Sequence, residues 1–327
     1  MKVGFIGLGN VGGKLANKLL SSGFDLTVRD LDHETMQAFV ERGAGAGASP
    51  AAMATACDVV ITCLPSPAAS AKVLEGDDGI LKTIGAGKIW AEMSTTDETE
   101  VKRLGAAVEA TGASAMDCPV SGGCHRAATG NISIFAGGER AVFERMMPLL
   151  TTMGRRILHT GELGTASILK VVTNYLATAN LVSCCEALVT TKAAGLDLAT
   201  AFEAIRISSG NSFVHETESQ VILNGSRDIN FTMELVSKDI ELFQAIADRA
   251  NVPLELNPVM IDIFRDGQQR FGAREWSPNI VKRLEEATGL DVRAPGFPAE
   301  IVDTEPEVPG FEVIPGDGFE AAPSVER

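Results

Sequence analysis

Three clusters of residue types in this chain have the spacing to do chemistry. The first is Gly7-Leu8-Gly9-Asn10-Val11-Gly12, a G-x-G-x-x-G run that follows a short apolar strand pattern, Lys2 to Ile6, and opens a helical one. That context is the one in which such glycines cradle a dinucleotide. Gly7 permits a tight turn, Gly9 lets the backbone approach a pyrophosphate, and Gly12 lets helix and strand close on each other while the helix N-terminus faces the phosphates. A plain glycine turn is the simpler alternative. The acid expected at the end of the second strand is Asp30. Its carboxylate can accept hydrogen bonds from ribose hydroxyls and would repel a 2′-phosphate. Arg29 could bind such a phosphate, but strand alternation sets Arg29 and Asp30 on opposite faces. The pattern favours NAD over NADP.

The second cluster is Asp117-Cys118-Pro119-Val120-Ser121-Gly122-Gly123, at the end of a predicted strand. A Ser-Gly-Gly turn there exposes successive backbone N–H groups and one hydroxyl, a nest suited to a carboxylate. It can equally be a tight turn and nothing more. The third is Lys170 with Asn174, four residues apart on a predicted helix and hence on one face. Their neighbours Ile168, Leu169, Val171, Val172, Tyr175 and Leu176 are apolar or aromatic. A lysine in that setting either snorkels to water or faces a cleft. In a cleft, beside a cationic nicotinamide ring, its ammonium would be disfavoured and the amine could act as general acid or base.

The elements that must position these groups read in two styles. Residues 1 to 162 alternate strand and helix: strands at Lys2 to Ile6, Asp25 to Arg29, Asp58 to Leu64, Lys88 to Glu92, Ser114 to Cys118 and Ile132 to Ala136, with helices at Val11 to Ser22, Thr96 to Thr111 and Glu139 to Thr152. Such alternation predicts parallel βαβ units in a doubly wound Rossmann sheet. From 163 to 289 the strands vanish and helices are expected at Thr165 to Ala194, Leu198 to Ile205, Thr232 to Arg249, Pro258 to Phe271 and Pro278 to Thr288. The fold class is thus α/β, a Rossmann domain followed by an all-α C-terminal domain for dimerisation and substrate. Residues 290–327 are rich in proline and acid, with Asp303, Glu305, Glu307, Glu312, Asp317, Glu320 and Glu326 among them. They read as an extended tail, either loose or anchored across its own or a neighbouring subunit by Val292, Phe297, Ile301, Val308, Phe311, Val313, Ile314 and Phe319. No catalytic group is expected in it.

The net charge of −15 argues against a phosphate-backbone partner, because a nucleic-acid site needs clustered Lys and Arg. It leaves room for an anionic substrate, which responds to the local field. The six cysteines, Cys57, Cys63, Cys118, Cys124, Cys184 and Cys185, form no C-x-x-C pair, so reduced thiols and no metal centre are expected. The first residues do not read as a signal peptide, and no uninterrupted apolar run has membrane-spanning length. A cytoplasmic setting is expected. The helix at Thr165 to Ala194 is apolar on more than one face, which predicts a homodimer or homotetramer.

Together the motifs resemble the β-hydroxyacid dehydrogenase family, the group of 3-hydroxyisobutyrate dehydrogenases and tartronate semialdehyde reductases built on a 6-phosphogluconate dehydrogenase-like plan. Four blocks stand in order: Gly4 to Gly12; Asp117 to Gly123 continuing through Ala127 and Gly130 to Gly137-Gly138; Gly161-Glu162-Leu163-Gly164 through Lys170 to Asn174; and Lys238-Asp239. Leu64-Pro65 and Ser94-Thr95 resemble the family's loops at the nicotinamide half of the cofactor. The resemblance covers residues 1 to about 288. It implies that Lys170 is the acid/base, that Ser121, Gly122 and Gly123 hold the substrate carboxylate with Asn174 beside it, and that Gly7 to Gly12, Asp30, Leu64, Pro65, Thr95 and Lys238 serve the cofactor. Members that use NADP tend to place arginine just after the residue matching Asp30; here Leu31 stands there. The chain departs from the pattern at Ala166, where the family commonly has glycine, and at Thr173-Asn174, where Asn-Asn is common. Both bear on the shape of the substrate pocket. Cys124-His125-Arg126 either touches a substrate side group or is a solvated loop. An imine reductase shares this plan but usually lacks the lysine. A non-catalytic nucleotide-binding module would have no need of it. The expected activity is therefore hydride transfer between NAD and the β-hydroxyl of a small acid, with hydroxyisobutyrate, glycerate, tartronate semialdehyde, 4-hydroxybutyrate, threonate and sulfonated analogues all open.

Overall fold

The computed structural model describes residues 1–316. Asp317, Phe319, Glu320, Pro323 and Glu326 of the tail lie outside the described residues. Element order in the first half is β1 (Lys2–Ile6), α1 (Gly12–Ser21), β2 (Asp25–Arg29), α2 (His33–Val40), β3 (Gly45–Ala46), α3 (Pro50–Ala56), β4 (Val59–Thr62), α4 (Pro67–Glu75), β5 (Ile89–Glu92) and α5 (Glu98–Glu109). There follow β6 (Ser114–Asp117), β7 (Val120–Ser121), α6 (Gly123–Thr129), β8 (Ser133–Gly137), α7 (Arg140–Met153) and β9 (Arg156–Gly161). The rest is helical: α8 (Thr165–Ala193), α9 (Leu198–Arg206), α10 (Phe213–Asn224), α11 (Met233–Arg249), α12 (Leu256–Phe271) and α13 (Lys282–Thr288), closed by a two-residue strand β10 (Phe311–Glu312).

The chain divides into two compact units. One holds Met1–Gly122, Arg126–Leu169 and the chain from Glu305; the other holds Gly123–His125 and Lys170–Thr304. The division between these units falls inside α8, after its first turn. The cause is local. The first turn of α8 hydrogen-bonds to the carboxylate of Asp117 at the end of β6: the Gly164 and Ser167 amides donate to it at 2.8 and 2.7 Å and the Ser167 hydroxyl at 2.8 Å. These are donors that a helix N-terminus leaves unsatisfied.

In the sheet unit the strand order is β10-β9-β8-β6-β5-β4-β1-β2-β3, with β7 paired to β8. From β3 to β6 all neighbours are parallel, and one register row runs Arg29–Ile6–Thr62–Glu92–Asp117. The C-terminal ends of β1, β4, β5 and β6 thus lie side by side. The loops carrying Gly7, Leu64-Pro65, Ser94-Thr95 and Ser121 all leave that one edge, which is where open α/β sheets bind ligands. Alternation divides the core between the two faces: Val59, Ile61, Ile89 and Ala91 pack on one side, Val60 and Trp90 on the other.

The sheet is not parallel throughout. β8 runs antiparallel to β6 and β7, because the chain reverses at Gly122 and Gly123, whose φ of +133° and +85° are open to glycine. Four of the strands, β3, β7, β9 and β10, and the helices α2, α3, α4, α6 and α10 were not legible as such. In α10 the buried face includes His215, Thr217 and Ser219 beside Val214 and Val221, which blurs the apolar period.

The helical unit packs α8 to α12 around Leu188, Ile222, Met233, Ile240, Met260 and Phe264. The tail is fastened to the chain's own surface in two ways. In the helical unit Val292 is fully buried, Phe297 packs edge-on to Phe202 at 5.1 Å, and Asn224 Nδ2 donates to the Phe297 carbonyl at 2.8 Å. In the sheet unit the tail is held mainly through its backbone and charges: Val308, Phe311 and Ile314 are exposed, and the Phe311 ring is covered by the Arg155 guanidinium, 5.3 Å from its centroid. Arg155 donates to the Pro309 carbonyl, Val313 N–H to Ile157 O, and β10 pairs parallel with β9. An otherwise open sheet edge is thereby covered. Val292→Ala should lower the unfolding free energy by about 2 kcal/mol, the scale of a buried aliphatic truncation, measured by urea denaturation. A change below a few tenths would show that this part of the tail is not core.

Candidate active site

The glycine loop separates into residues the fold demands and one it does not. Gly7 has φ +99°, and a Cβ there would stand 2.2 Å from the Cys63 carbonyl oxygen; a Cβ on Gly12 would stand 2.2 Å from that of Gly7. At both positions a side chain would collide with backbone. A Cβ on Gly9 would meet nothing within 4 Å, and its φ lies outside the left-handed region. The space a side chain would fill at Gly9 is open, and the loop fits a ligand whose phosphates approach the backbone at the head of α1. Around it, Asn10 is exposed, Val11 is the residue preceding α1, and Leu8 is buried in the core.

Asp30 closes this loop: its Oδ2 accepts the Leu8 N–H at 2.5 Å and its Oδ1 accepts the Asp32 N–H at 2.9 Å. Carboxylate oxygens have lone pairs to spare for ribose hydroxyls. Arg29 is committed elsewhere, donating to the carbonyls of Gly47 and Ala48 at 2.9 and 2.8 Å. Leu31 is exposed.

At the next two strand ends a buried acid organises the loops. Glu92, at the end of β5, accepts the Ser94 N–H at 2.9 Å and the Ser94 hydroxyl, while Ser94 Oγ accepts the Leu64 N–H at 2.7 Å. Burial raises the Glu92 carboxyl above its usual range, against the hydrogen bonds of Ser70, Ser94 and Thr62. Leu64 and Thr95 are half-buried on these loops and Pro65 is exposed. Ser121 stands opposite Ser133 across the β7–β8 pair, and Gly122 and Gly123 turn the chain into α6. The His125 ring stacks with Phe213 at 6.2 Å between centroids, so that residue is not simply a solvated loop.

In the helical unit Lys170 is 8% exposed. Its Nζ donates to Asn174 Oδ1 at 2.7 Å, and Asn174 Nδ2 in turn donates to Asp239 Oδ2. Asp239 also pairs with Lys238, Oδ1 to Nζ 3.1 Å. Desolvation lowers the Lys170 pKa to about 8; the Asp239 charge pulls it back up and the Lys238 charge pushes it further down. Asn174 is therefore a bridge: its carbonyl faces the amine and its amide faces the acid. An amine that loses its proton near neutral pH, on a hydrogen bond that fixes its direction, can accept and return a proton.

Of the residues singled out by sequence, Gly7 to Gly12 and Asp30 come together, as do Leu64 with Ser94, and Lys170 with Asn174 and Lys238. Three positioning acids carry more than the sequence reading gave them: Glu92, Asp117 and Asp239. A signal existed for two of them. Glu92 ends the apolar strand Ile-Trp-Ala, and Asp239 lies between the buried Val236 and Ile240 of α11. An acid inside an apolar pattern needs a partner or a role.

A model of the NAD-binding domain of 6-phosphogluconate dehydrogenase matches residues 2–161, and one described as the NAD-binding domain of NADP-dependent 3-hydroxyisobutyrate dehydrogenase matches 164–284. The chain is similar to 2-(hydroxymethyl)glutarate dehydrogenase of Eubacterium barkeri, 33% identical over 293 residues, 89% of this chain and 97% of the relative. It is similar to mitochondrial 3-hydroxyisobutyrate dehydrogenase of Rattus norvegicus, 34% identical over 270 residues, 80% of this chain and 81% of the relative. Among solved structures, 3-hydroxyisobutyrate dehydrogenase from Salmonella typhimurium superposes with a TM-score of 0.79 at 25% identity, covering 86% of this chain and 99% of that one.

The open space at Gly9 makes a sharp prediction. Gly9→Ala should leave the melting temperature of the free protein unchanged and weaken NAD binding at least about tenfold, a loss of roughly 1.4 kcal/mol. Gly7→Ala should destabilise the protein whether or not NAD is added. Unaltered NAD affinity in Gly9→Ala, read by calorimetry, would show that no phosphate approaches there.

Proposed function

The chain belongs to the β-hydroxyacid dehydrogenase family, and we propose that it moves a hydride between NAD and the β-hydroxyl of a small β-hydroxy acid with Lys170 as general acid/base. The observation that carries this reading is the desolvated Lys170 amine, aligned by Asn174 and held near neutrality in its protonation. NAD, which the Gly7–Gly12 loop and Asp30 would hold, would supply the redox chemistry as acceptor or donor of the hydride. In oxidation the free amine of Lys170 accepts the hydroxyl proton; in reduction its ammonium returns a proton to the carbonyl oxygen. The Ser121 hydroxyl and the backbone N–H groups of Gly122 and Gly123 bind the substrate carboxylate, with Asn174 beside it. Gripping that carboxylate orients the carbinol carbon, so that part of the entropy of reaching the reactive geometry is met on binding. Leu64, Pro65, Thr95 and Lys238 border the cofactor in this reading.

The substrate class is a short acid whose hydroxyl sits one carbon beyond the α-carbon. NADH formation across 3-hydroxyisobutyrate, 2-(hydroxymethyl)glutarate, L-serine and glycerate at alkaline pH tests it; turnover of none of them would contradict the reading. A soluble cytoplasmic homo-oligomer is the setting proposed, with all six cysteines as thiols. Support for the oligomer comes from α8, whose 29 residues are long and apolar enough to cross a membrane by length and composition, while only 33% of its apolar window is buried within one chain. Leu169 and Leu176 are among its exposed side chains. Covering such a face is what a second copy would do. Light scattering should return a multiple of 34.4 kDa; a monomer at micromolar concentration would contradict this.

Lys170→Ala should lower kcat by about 10²- to 10⁴-fold, the range of general acid–base catalysis, with NAD affinity nearly unchanged. A variant within threefold of wild type would remove Lys170 from the chemistry. Because oxidation needs the free amine, kcat/KM for oxidation should fall about tenfold per pH unit below about 8 and level off above it. With Asp30 at the ribose and Leu31 following it, kcat/KM should be higher with NAD than with NADP. The reverse order would mean that Arg29 leaves its carbonyls to bind the phosphate.

A further inference from the structure

The turn assigned above to the substrate carboxylate has little rigidity of its own. Gly122 and Gly123 both adopt positive φ, and the helix they open, α6, has seven residues. Glycine carries the greatest conformational freedom of any residue, so the shape of this turn must be imposed by what packs on it. In the sheet unit two side chains pack on Gly122: the buried Ile132, its Cγ1 3.6 Å from where a Cβ would stand, and Arg126. A Cβ built on Gly122 would lie 3.2 Å from Arg126 Cδ and 3.7 Å from its Cβ: the aliphatic stem of the arginine lies over the glycine.

What holds Arg126 there comes from the far end of the chain. Glu305 Oε1 accepts from Arg126 Nη2 at 2.6 Å, and its other oxygen lies 3.7 Å from Arg156 Nη1 at the start of β9. Asn131 Nδ2 donates to the Glu305 carbonyl at 3.0 Å, fixing the backbone at the same point. The register supports the geometry. Ser121 pairs with Ser133 on β8, and Ser133 pairs with Arg156 on β9. The carboxylate turn and the Glu305 anchor are thus two strand spacings apart along one row, about 10 Å. The two family models end by residue 284, so this contact belongs to the chain's own C-terminal segment.

We propose that Glu305 is a positioning residue for substrate binding, holding the Ser121–Gly123 turn in shape by clamping Arg126 to the start of β9. The inference rests on the reading that this turn takes the substrate carboxylate. Glu305 touches no reacting atom. Its effect is on how well the N–H groups and the Ser121 hydroxyl are presented.

The test is steady-state kinetics of the full chain with 3-hydroxyisobutyrate and NAD, read as NADH, on Glu305→Gln, Arg126→Gln, their double variant, Ser121→Ala and Glu307→Gln. Glu307 is the neighbouring tail acid, paired with Lys18 at 2.9 Å, and controls for general loosening of the tail. The expected result is a KM for the hydroxy acid raised about fivefold in Glu305→Gln, the scale of one partly exposed ion pair. KM for NAD, kcat and the melting temperature should stay near wild type, since the loss is of uniform binding. Because Glu305 and Arg126 form one clamp, the double variant should be no worse than the worse single variant. Glu307→Gln should leave KM unchanged. If Ser121→Ala raises KM while Glu305→Gln does not, the clamp is wrong and the carboxylate reading stands. If Ser121→Ala leaves KM unchanged, the carboxylate reading falls and this inference with it. Additive effects in the double variant, an equal rise in Glu307→Gln, or parallel losses in both KM values, kcat and melting temperature would each overturn the clamp.

Discussion

Lys170 is an amine taken out of water, and that desolvation sets the terms for everything around it. A buried ammonium with no partner is among the most expensive groups a protein can carry. Here the expense is shared: the chain lowers the amine's proton affinity and supplies one oriented acceptor, Asn174, backed by the buried Asp239. The balance is set between two neighbours of opposite sign, Asp239 raising the proton affinity and Lys238 lowering it. The consequence for stability has a definite sign. Because the folded chain holds Lys170 below its unfolded value, protonation favours unfolding. The penalty is present in full below about 8. It fades as pH rises toward the ordinary lysine value of about 10.4.

The same economy recurs at the sheet edge, where each loop leaves on an acid, half-buried at Asp30 and buried at Glu92 and Asp117. Asp30 ties β2 to the glycine loop, Glu92 ties β5 to the loop of Leu64, and Asp117 ties β6 to the first turn of α8. In each case a carboxylate at or just past a strand's C-terminal end accepts backbone N–H groups that the fold would otherwise leave unpaired. The acids at 92 and 117 are raised by burial and held by hydrogen bonds, so they work as acceptors whose geometry is rigid. The glycine loop, the loops of Leu64 and Ser94 and the start of the long helix are thereby fixed by the chain's own hydrogen bonds.

How much of this was legible follows from where the local pattern and the tertiary role coincide. β1 and β2 were placed to the residue, because strands such as Lys2 to Ile6 are apolar runs ended by glycine or charge. The glycine roles at 7, 9 and 12 were legible because each is a distinct steric demand, and the clash distances separate the three. The pairing of Lys170 with Asn174 followed from helical spacing. Hidden from the sequence were pairings set by distant residues. Nothing local announces that Asp117 caps a helix beginning at Thr165, that Asp239 answers Asn174 from 65 residues away, or that Glu305 reaches Arg126 from 179 away. The second half of the tail is fastened in a way its composition does not announce, for a related reason. Its apolar residues suggested anchors, but Phe311 and Ile314 remain exposed while Glu305, Glu307 and Glu312 pair with Arg126, Lys18 and Arg140. Acidic composition, which suggests a solvated tail when the partners are unseen, is what fastens it.

The chemistry of this site depends on the protonation of one amine. Selective ¹³C labelling of lysine and NMR titration of the Lys170 Cε signal in the free protein, assigned by its disappearance in Lys170→Arg, measures that directly. The account predicts a midpoint near 8. It also predicts a still lower midpoint in Asp239→Asn, where the charge that favours the ammonium has been removed. A midpoint near the ordinary lysine value of about 10.4, unmoved by that substitution, would mean that Lys170 reaches water and is not the acid/base of this chain.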